Sequence, residues 1–247
     1  MKRIEVLSLP LDVPTRDELL ARIEELLDAA GGHNHVIALN PLKIMSALRH
    51  PDLHAAISRA SVVYADAVGV CWAGRYLHGV DVPRIPGFLL FYDILALAAR
   101  SRRRVYLLGS TTKVVETAGV RLEERYPGLQ IVGTHHGFFD AAHEDTLVEQ
   151  VRAAAPDVMF VAMGFLLQER WIERLRQRTA VRVYMGVGGS LDVVAGAGPG
   201  APQWVSDRGL LWLYRLLKQP HRAREMTALP RFVLAVLAQK RMMRRNG

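Results

Sequence analysis

Apolar residues in this chain fall into short unbroken runs, separated by longer stretches in which they recur with helical spacing. His35-Val36-Ile37-Ala38-Leu39 stops at Asn40-Pro41, and Val62-Val63-Tyr64-Ala65 delivers Asp66 before a turn into Ala67-Val68-Gly69-Val70. Arg104–Leu108 runs into Gly109-Ser110-Thr111, Val158–Ala162 into Met163-Gly164, and Val181–Met185 into Gly186-Val187-Gly188-Gly189. Runs without polar alternation are what strands buried on both faces require, and amphipathic segments such as Lys113–Tyr126 and Glu144–Ala154 supply the covering helices. Ile4–Leu7 is one further short strand candidate. Thr15 with Glu18 has the spacing of a capping box, opening a helix to about Ala30 that Gly31-Gly32 ends. The pattern predicts an α/β fold: a Rossmann-like, mostly parallel sheet with helices on both faces.

Composition adds two points to this picture. Half of the 247 residues are hydrophobic, enough for one large α/β domain with an appendage. The net charge of +8 is unevenly placed: residues 1–200 carry 22 basic and 22 acidic side chains, residues 201–247 carry 10 and 2. The break falls at the glycine- and proline-rich stretch 196–202, which divides a Rossmann-like catalytic domain (1–195) from a basic, helical C-terminal appendage (196–247). A basic, partly apolar tail suits an anionic partner: phospholipid headgroups, nucleic acid or substrate phosphates.

The single Cys71 excludes an internal disulfide, the start Met-Lys-Arg-Ile-Glu-Val lacks a signal-peptide core, and no apolar run approaches the roughly 20 residues that span a bilayer. A cytoplasmic setting is expected.

Chemistry is expected at the carboxyl ends of the strands, where open α/β sheets hold their ligands. An Asp at such an end serves equally as general base, ribose ligand, metal ligand or helix N-cap, and local sequence does not separate these roles for Asp66. Gly109-Ser110 and Gly188-Gly189-Ser190 offer helix-start amides that suit phosphate. Neither has the glycine fingerprint of a dinucleotide site or of a phosphate loop, which argues against a dehydrogenase. No Asp-x-Asp pair, cysteine cluster or His-Glu-x-x-His helix is present, so a site without metal or cofactor is expected. The histidines of His33-x-His35 and His135-His136 read as surface or loop residues. The tail arginines have no aromatic stacking platform among them, which argues against nucleic acid.

An ordered set of segments then resembles one family. It comprises Ala38-Leu39-Asn40-Pro41, Ala65-Asp66, Arg84-Ile85-Pro86-Gly87, Leu107-Leu108-Gly109, Tyr126-Pro127-Gly128-Leu129, Gly133-Thr134 with Gly137-Phe138-Phe139, and Gly164 with Gln168-Glu169. Gly186-Val187-Gly188-Gly189 with Asp192, and Trp212–Leu216 with Pro220-His221-Arg222, complete it. Together, across roughly residues 35 to 225, these resemble the WecG/TagA/CpsF glycosyltransferases.

The resemblance implies inverting, metal-independent transfer of a sugar of the N-acetylmannosamine type from a UDP-sugar to a polyprenyl-diphosphate-linked acceptor. The work would be done at the cytoplasmic face of the membrane during synthesis of bacterial surface polysaccharide. It implies Asp66 as the base that deprotonates the acceptor hydroxyl, with Asn40, Arg84 and Gln168 lining the pocket. Gly109, Ser110, Gly188, Gly189 and Asp192 would contact the nucleotide sugar, and Arg215 and Arg222 the leaving diphosphate. The appendage would complete the site, touch anionic membrane through the apolar run 232–238 and its flanking basic residues, and bear on homo-oligomer state.

This sequence departs from the family pattern at Ala67, Leu89, Leu166, Leu167, His136, Gly200 and Leu211. Those departures suit either an altered donor or acceptor, or a catalytically weak paralogue that binds nucleotide sugar or polyprenyl phosphate.

Overall fold

Six of the strands lie side by side, all parallel, in the order β4-β3-β8-β7-β5-β6 in a computed structural model that describes residues 1–29, 31–197 and 228–245. In chain order these are β3 (Asn34–Leu39), β4 (Val62–Ala65), β5 (Arg104–Gly109), β6 (Gln130–His135), β7 (Val158–Ala162) and β8 (Val183–Gly186). Because every neighbour is parallel, all six carboxyl ends emerge on one edge, and the loops expected to carry the chemistry are gathered there by topology alone.

Alternation along the strands feeds two faces. Val36, Val62, Tyr64, Val105, Leu107, Val158, Phe160, Val183 and Met185 join one core with helices α1 (Arg16–Asp28), α5 (Gly87–Arg100) and α6 (Thr112–Arg125). On the opposite face Ile37, Leu39, Val63 and Ala65 pack with α2 (Pro41–Ala47), α3 (Pro51–Ser58), α4 (Val68–His78) and the C-terminal helix α10 (Ala228–Arg245). Tyr106, Leu108, Met159, Val161 and Tyr184 pack there with α7 (Glu144–Ala154) and α8 (Phe165–Leu175). The short α9 (Ser190–Val194) follows β8. The doubly covered, parallel α/β sheet is the expected one.

Local signals act as read at several points. Thr15 forms the capping box with Glu18 at the start of α1, which ends at Asp28. Pro41 occupies the first turn of α2, capped by Asn40 Oδ1 accepting from Lys43 N at 2.9 Å.

Two elements differ from expectation. The first strand candidate is an antiparallel hairpin, β1 (Arg3–Val6) with β2 (Leu9–Asp12). Its buried Asp12 takes a forked pair of bonds from Arg3 (2.7 and 2.8 Å) and also accepts Val63 N at 2.8 Å, so it satisfies an amide on the outer side of edge strand β4. Strand β6 lies at the other edge, where none of its residues is fully buried and Gly133 leaves room for the ring of Tyr106.

Helix α10 packs across α2 and α4 through Phe232 and Val236, with Leu7 N donating to Gln239 Oε1 at 3.0 Å and Lys240 Nζ to Leu77 O at 2.7 Å. The expected hinge lies mostly outside the described residues, and the Arg215, Arg222, Gly200 and Leu211 positions lie wholly outside them. Among the described residues, no helix is long and apolar enough to cross a membrane.

Candidate active site

Strands β3 and β4 are in register with Leu39 beside Ala65, so the next residues on each, Asn40 and Asp66, stand side by side at the carboxyl edge, and Asp66 N donates to Leu39 O at 3.0 Å. Asp66 does not cap the helix it precedes: the N-cap of α4 is Ala67, with no side-chain bond. Its carboxylate turns instead to the helix that begins 21 residues later, where Oδ1 accepts from Gly87 N at 2.8 Å. One oxygen is thereby fixed against the positive end of α5. Among the described residues, Oδ2 makes no hydrogen bond.

Gly87 eases that approach, since a Cβ there would come within 3.2 Å of Tyr64 Oη, a tight contact that the hydroxyl would have to relieve by a small shift. The Tyr64 hydroxyl is fully buried beside this junction and, among the described residues, has no hydrogen-bond partner. Burial and then the nearby charges of Asp66 and Glu169 push its pKa up, so it stays a neutral donor.

Arg84 lies on the same rim. Burial pushes the Cys71 thiol up to about 11, with Arg84 opposing and Asp66 reinforcing that shift, so both charges are within electrostatic reach of one thiol on α4. At that value Cys71 is protonated at neutral pH and is no nucleophile.

The loop after β5 is tightly built. Gly109 has φ +131°, and a Cβ there would stand 2.3 Å from Ala162 O, so only glycine fits. Ser110 follows in the left-handed region (φ 55°), a conformation that costs a non-glycine residue of order 1 kcal/mol. It is held there by Ser110 N to Ala162 O at 3.1 Å, Gly137 N to Ser110 O at 2.8 Å, and Ser110 Oγ to Asp192 Oδ1 at 2.9 Å. That last bond joins the β5 loop to α9. Thr111 caps α6, so the first turn of a 14-residue helix opens beside this loop.

The loops after β7 and β8 are joined through Gln168. It is buried, at 2% exposure, and does not face solvent as a simple capping residue would. Its Oε1 accepts from Gly188 N at 3.0 Å, while its Nε2 donates to Glu169 Oε1 at 3.0 Å. The Gly188 amide is thus engaged within the protein. Gly186 makes room for it, because a Cβ there would lie 2.2 Å from Gln168 Nε2.

Behind Gln168 lies a buried ionic cluster that sequence reasoning passed over. Glu169 Oε1 also accepts from Lys43 Nζ at 2.6 Å; Glu169 is 1% and Lys43 3% exposed. His35 Nε2 stands 2.8 Å from Glu169 Oε2 and its Nδ1 3.4 Å from Glu173 Oε1. The surface-or-loop reading of His35 is corrected by its complete burial between two carboxylates four residues apart on α8. Those carboxylates come from a different element, so spacing around the histidine held no trace of them.

Burial works against the charged forms here, yet attraction within the cluster prevails. Glu169 is held well below the usual carboxylate range by Lys43 and His35, and Glu173 is lowered to about 2 by His35 and Arg176. His35 is raised, against the burial that opposes its charging, by the adjoining carboxylates of Glu169 and Glu173. A raised histidine stabilises the fold fully below its unfolded pKa of about 6.5, and that contribution is lost as pH rises through the folded value. Urea unfolding of the wild type should therefore show stability declining above about pH 6.5, and His35→Gln should flatten that limb. An unchanged slope in the variant refutes the assignment.

A separate open cleft of about 410 Å³ between α3 and α8 is lined by Asp52, Arg59, Arg170, Glu173 and Arg174 but by none of the predicted residues. Arg170 pairs with Asp52 at 2.6 Å and Arg59 with Glu173 at 3.2 Å, so its charges are largely matched internally.

Of the departures from the family pattern, Leu166 packs partly against the core beneath α2 and α4, Leu167 is exposed, and Leu89 is half-buried in the first turn of α5. Among the described residues, no group of three or more His, Cys, Asp or Glu side chains is placed to hold a metal ion.

Comparison with known proteins agrees with the resemblance. The family model described as "Glycosyl transferase WecG/TagA/CpsF family" matches residues 4–246. Similar curated proteins include two from Staphylococcus aureus, strains MW2 and NCTC 8325. Both are named N-acetylglucosaminyldiphosphoundecaprenol N-acetyl-beta-D-mannosaminyltransferase. Each is 32% identical over 244 residues, covering 98% of this chain and 95% of the relative.

Proposed function

The chain belongs to the WecG/TagA/CpsF glycosyltransferase family, and we propose that it moves a sugar of the N-acetylmannosamine type from a UDP-sugar to a polyprenyl-diphosphate-linked saccharide by one inverting displacement. The observation that carries this reading is Asp66, with one carboxylate oxygen fixed by the Gly87 amide and the other unbonded among the described residues.

In that displacement the acceptor hydroxyl gives its proton to Asp66 Oδ2 as its oxygen attacks the anomeric carbon. The bond from that carbon to the diphosphate breaks on the opposite face, and UDP leaves with the electron pair. The leaving charge is met by the first-turn amides of α6 beside Gly109 and Ser110 and by the guanidinium of Arg84, joined from the appendage by Arg215 and Arg222. Asp192, an acid beside that loop, suits a ribose hydroxyl better than a phosphate oxygen. Asn40 and Gln168 orient the sugar, and Gly188 and Gly189 shape the wall behind it. No divalent ion or cofactor is required in this scheme.

Incubation of the full chain with UDP-N-acetylmannosamine and a lipid-diphospho-N-acetylglucosamine acceptor should release UDP, with or without EDTA. Saturable UDP binding without release for any UDP-sugar and acceptor sinks the enzyme reading.

The acceptor's lipid implies work at a membrane surface, and we assign that contact to α10 with the neighbouring face of α4, at the cytoplasmic side. Helix α10 turns Leu234 and Met242 outward among Arg231, Arg241, Arg244 and Arg245, with no acidic residue along its length. Beside it α4 exposes Val68, Trp72 and Tyr76 as a single stripe at four-residue spacing, the two rings stacked 5.4 Å apart. Basic side chains around an apolar stripe suit an anionic bilayer. The protein should sediment with phosphatidylglycerol vesicles and be released by salt, while duplex DNA at equal charge should not compete. Equal binding to phosphatidylcholine, or displacement by DNA, counts against this. We propose a homo-oligomer as well, which light scattering tests.

A further inference from the structure

The cluster behind Gln168 joins pieces of chain that meet only at the site. Asn40 Oδ1 caps Lys43 N, so the loop after β3 and the first turn of α2 form one unit. Lys43 reaches across to Glu169 Oε1 on α8, and that same oxygen accepts from Gln168 Nε2. Gln168 Oε1 in turn holds Gly188 N in the loop after β8.

The order of these bonds leaves the Gln168 amide a single orientation. Turned over, it would set its carbonyl oxygen against a carboxylate and its NH2 against the Gly188 N–H. Glu169 is therefore what dictates which end of Gln168 faces Gly188. Glu169 is 1% exposed and bonded to Gln168 Nε2, which places it to act through Gln168.

We propose that Glu169 is a positioning residue: its buried carboxylate, tied to Lys43 and Gln168, holds the loops at the carboxyl ends of β3, β7 and β8 in the relative placement that sugar transfer requires. This rests on the transfer reading above. The charged groups facing Glu169 are Lys43 from α2 and His35 from β3, with Glu173 one turn along α8 and itself paired to Arg59 and Arg176. A change at Glu169 therefore also disturbs a charge balance, and the test must separate stability from placement.

Two variants of the full chain do so. Glu169→Asp keeps the charge but shortens the reach, and Lys43→Met/Glu169→Gln removes one charge of each sign together. Turnover is read as UDP release from UDP-N-acetylmannosamine with the lipid-diphospho-N-acetylglucosamine acceptor. Alongside it are measured Tm, UDP affinity by calorimetry, and amide exchange over residues 40–44 and 186–190.

In both variants kcat should fall roughly 10- to 100-fold, the scale of a small misplacement of reacting groups. UDP affinity should stay within about threefold, because the β5 loop and α6 are untouched. The double variant should keep a Tm near that of the wild type, and exchange should rise in both loops.

Wild-type kcat in Glu169→Asp, or its recovery in the double variant together with Tm, overturns the proposal and leaves Glu169 an ordinary structural ion pair. If the wild type itself releases no UDP, the transfer reading fails on its own. Exchange then decides the clamp: unchanged protection in both loops refutes it, and faster exchange upholds it.

Discussion

Asp66→Asn should lower kcat by about 100- to 10,000-fold, the usual contribution of a positioned general base, while leaving the fold intact. The geometry makes this substitution unusually clean. Asparagine keeps an Oδ1 acceptor, so the bond from Gly87 N that ties the end of β4 to the start of α5 survives. What is lost is the second carboxylate oxygen and with it the capacity to take a proton.

Unfolding midpoint and UDP affinity should therefore match the wild type, and only turnover should collapse. Asp66→Ala is the useful contrast, because it removes the Gly87 bond as well and should cost about 1–2 kcal/mol of stability on top of the same kinetic loss. Should Asp66→Asn instead keep its turnover, or lose it only in step with its Tm, the carboxylate is an anchor for α5 and the base must be sought elsewhere.

The second large effect is on stability. Lys43→Met should destabilise the protein by roughly 3–5 kcal/mol, because it strands Glu169 in a site with 1% exposure after removing the strongest attraction that opposes its burial. Urea denaturation would measure it, and a loss below about 1 kcal/mol would refute the assignment.

The pH dependence carries a second signature. A carboxylate held low in the folded state contributes stability above its unfolded pKa, and loses it as pH falls through the folded value. With Lys43 present, that loss for Glu169 falls at strongly acid pH. Without it the folded pKa climbs, and the acid decline should begin at visibly higher pH. His35 cannot take over the role unchanged, since its own charge depends on pH.

How much of this was legible from the residues differs by element. The strands at 34–39, 62–65, 104–109 and 158–162 were readable because each is a continuous apolar run closed by a small-residue turn, which few other structures tolerate. The β1–β2 hairpin was not, because its two-residue turn is made by Leu7 and Ser8 at φ 51° and 62°, positions where glycine or asparagine gives the usual signal. Strand β6 was missed because an edge strand can afford Gln130, Gly133 and Thr134, and so loses the apolar signature.

At the site, the strand-end residues were found because topology brings all strand ends together once the sheet is parallel. The ionic cluster was not, since Lys43 and Glu169 stand 126 residues apart and nothing local marks a lysine that will be buried. Two traces were available: His35 inside an otherwise apolar run, and Glu169 with Glu173 one turn apart on a helix. For Asp66 the local residues leave cap and ligand-side roles alike open, and its bond to α5 has no local signal because the partner helix lies 21 residues downstream.

Helix α10 has a consequence for how the molecule is assembled during synthesis. Among the described residues, two of the three cores draw on nothing after Ala195, and these parts can consolidate while the remainder of the chain is still being made. The third cannot, because it includes Phe232 and Val236, and the amide of Leu7 finds its acceptor on Gln239, 232 positions away. Until those late residues arrive, the apolar flanks of α2 and α4 around Pro41 and Gly69 stay bare on a growing polypeptide, a state that favours capture by a holdase or clumping with neighbours. The ground beneath Asn40 and Asp66 is thus finished last, and a chain cut short before α10 should be recognised as unfinished by the cell's quality control rather than released as a slow catalyst.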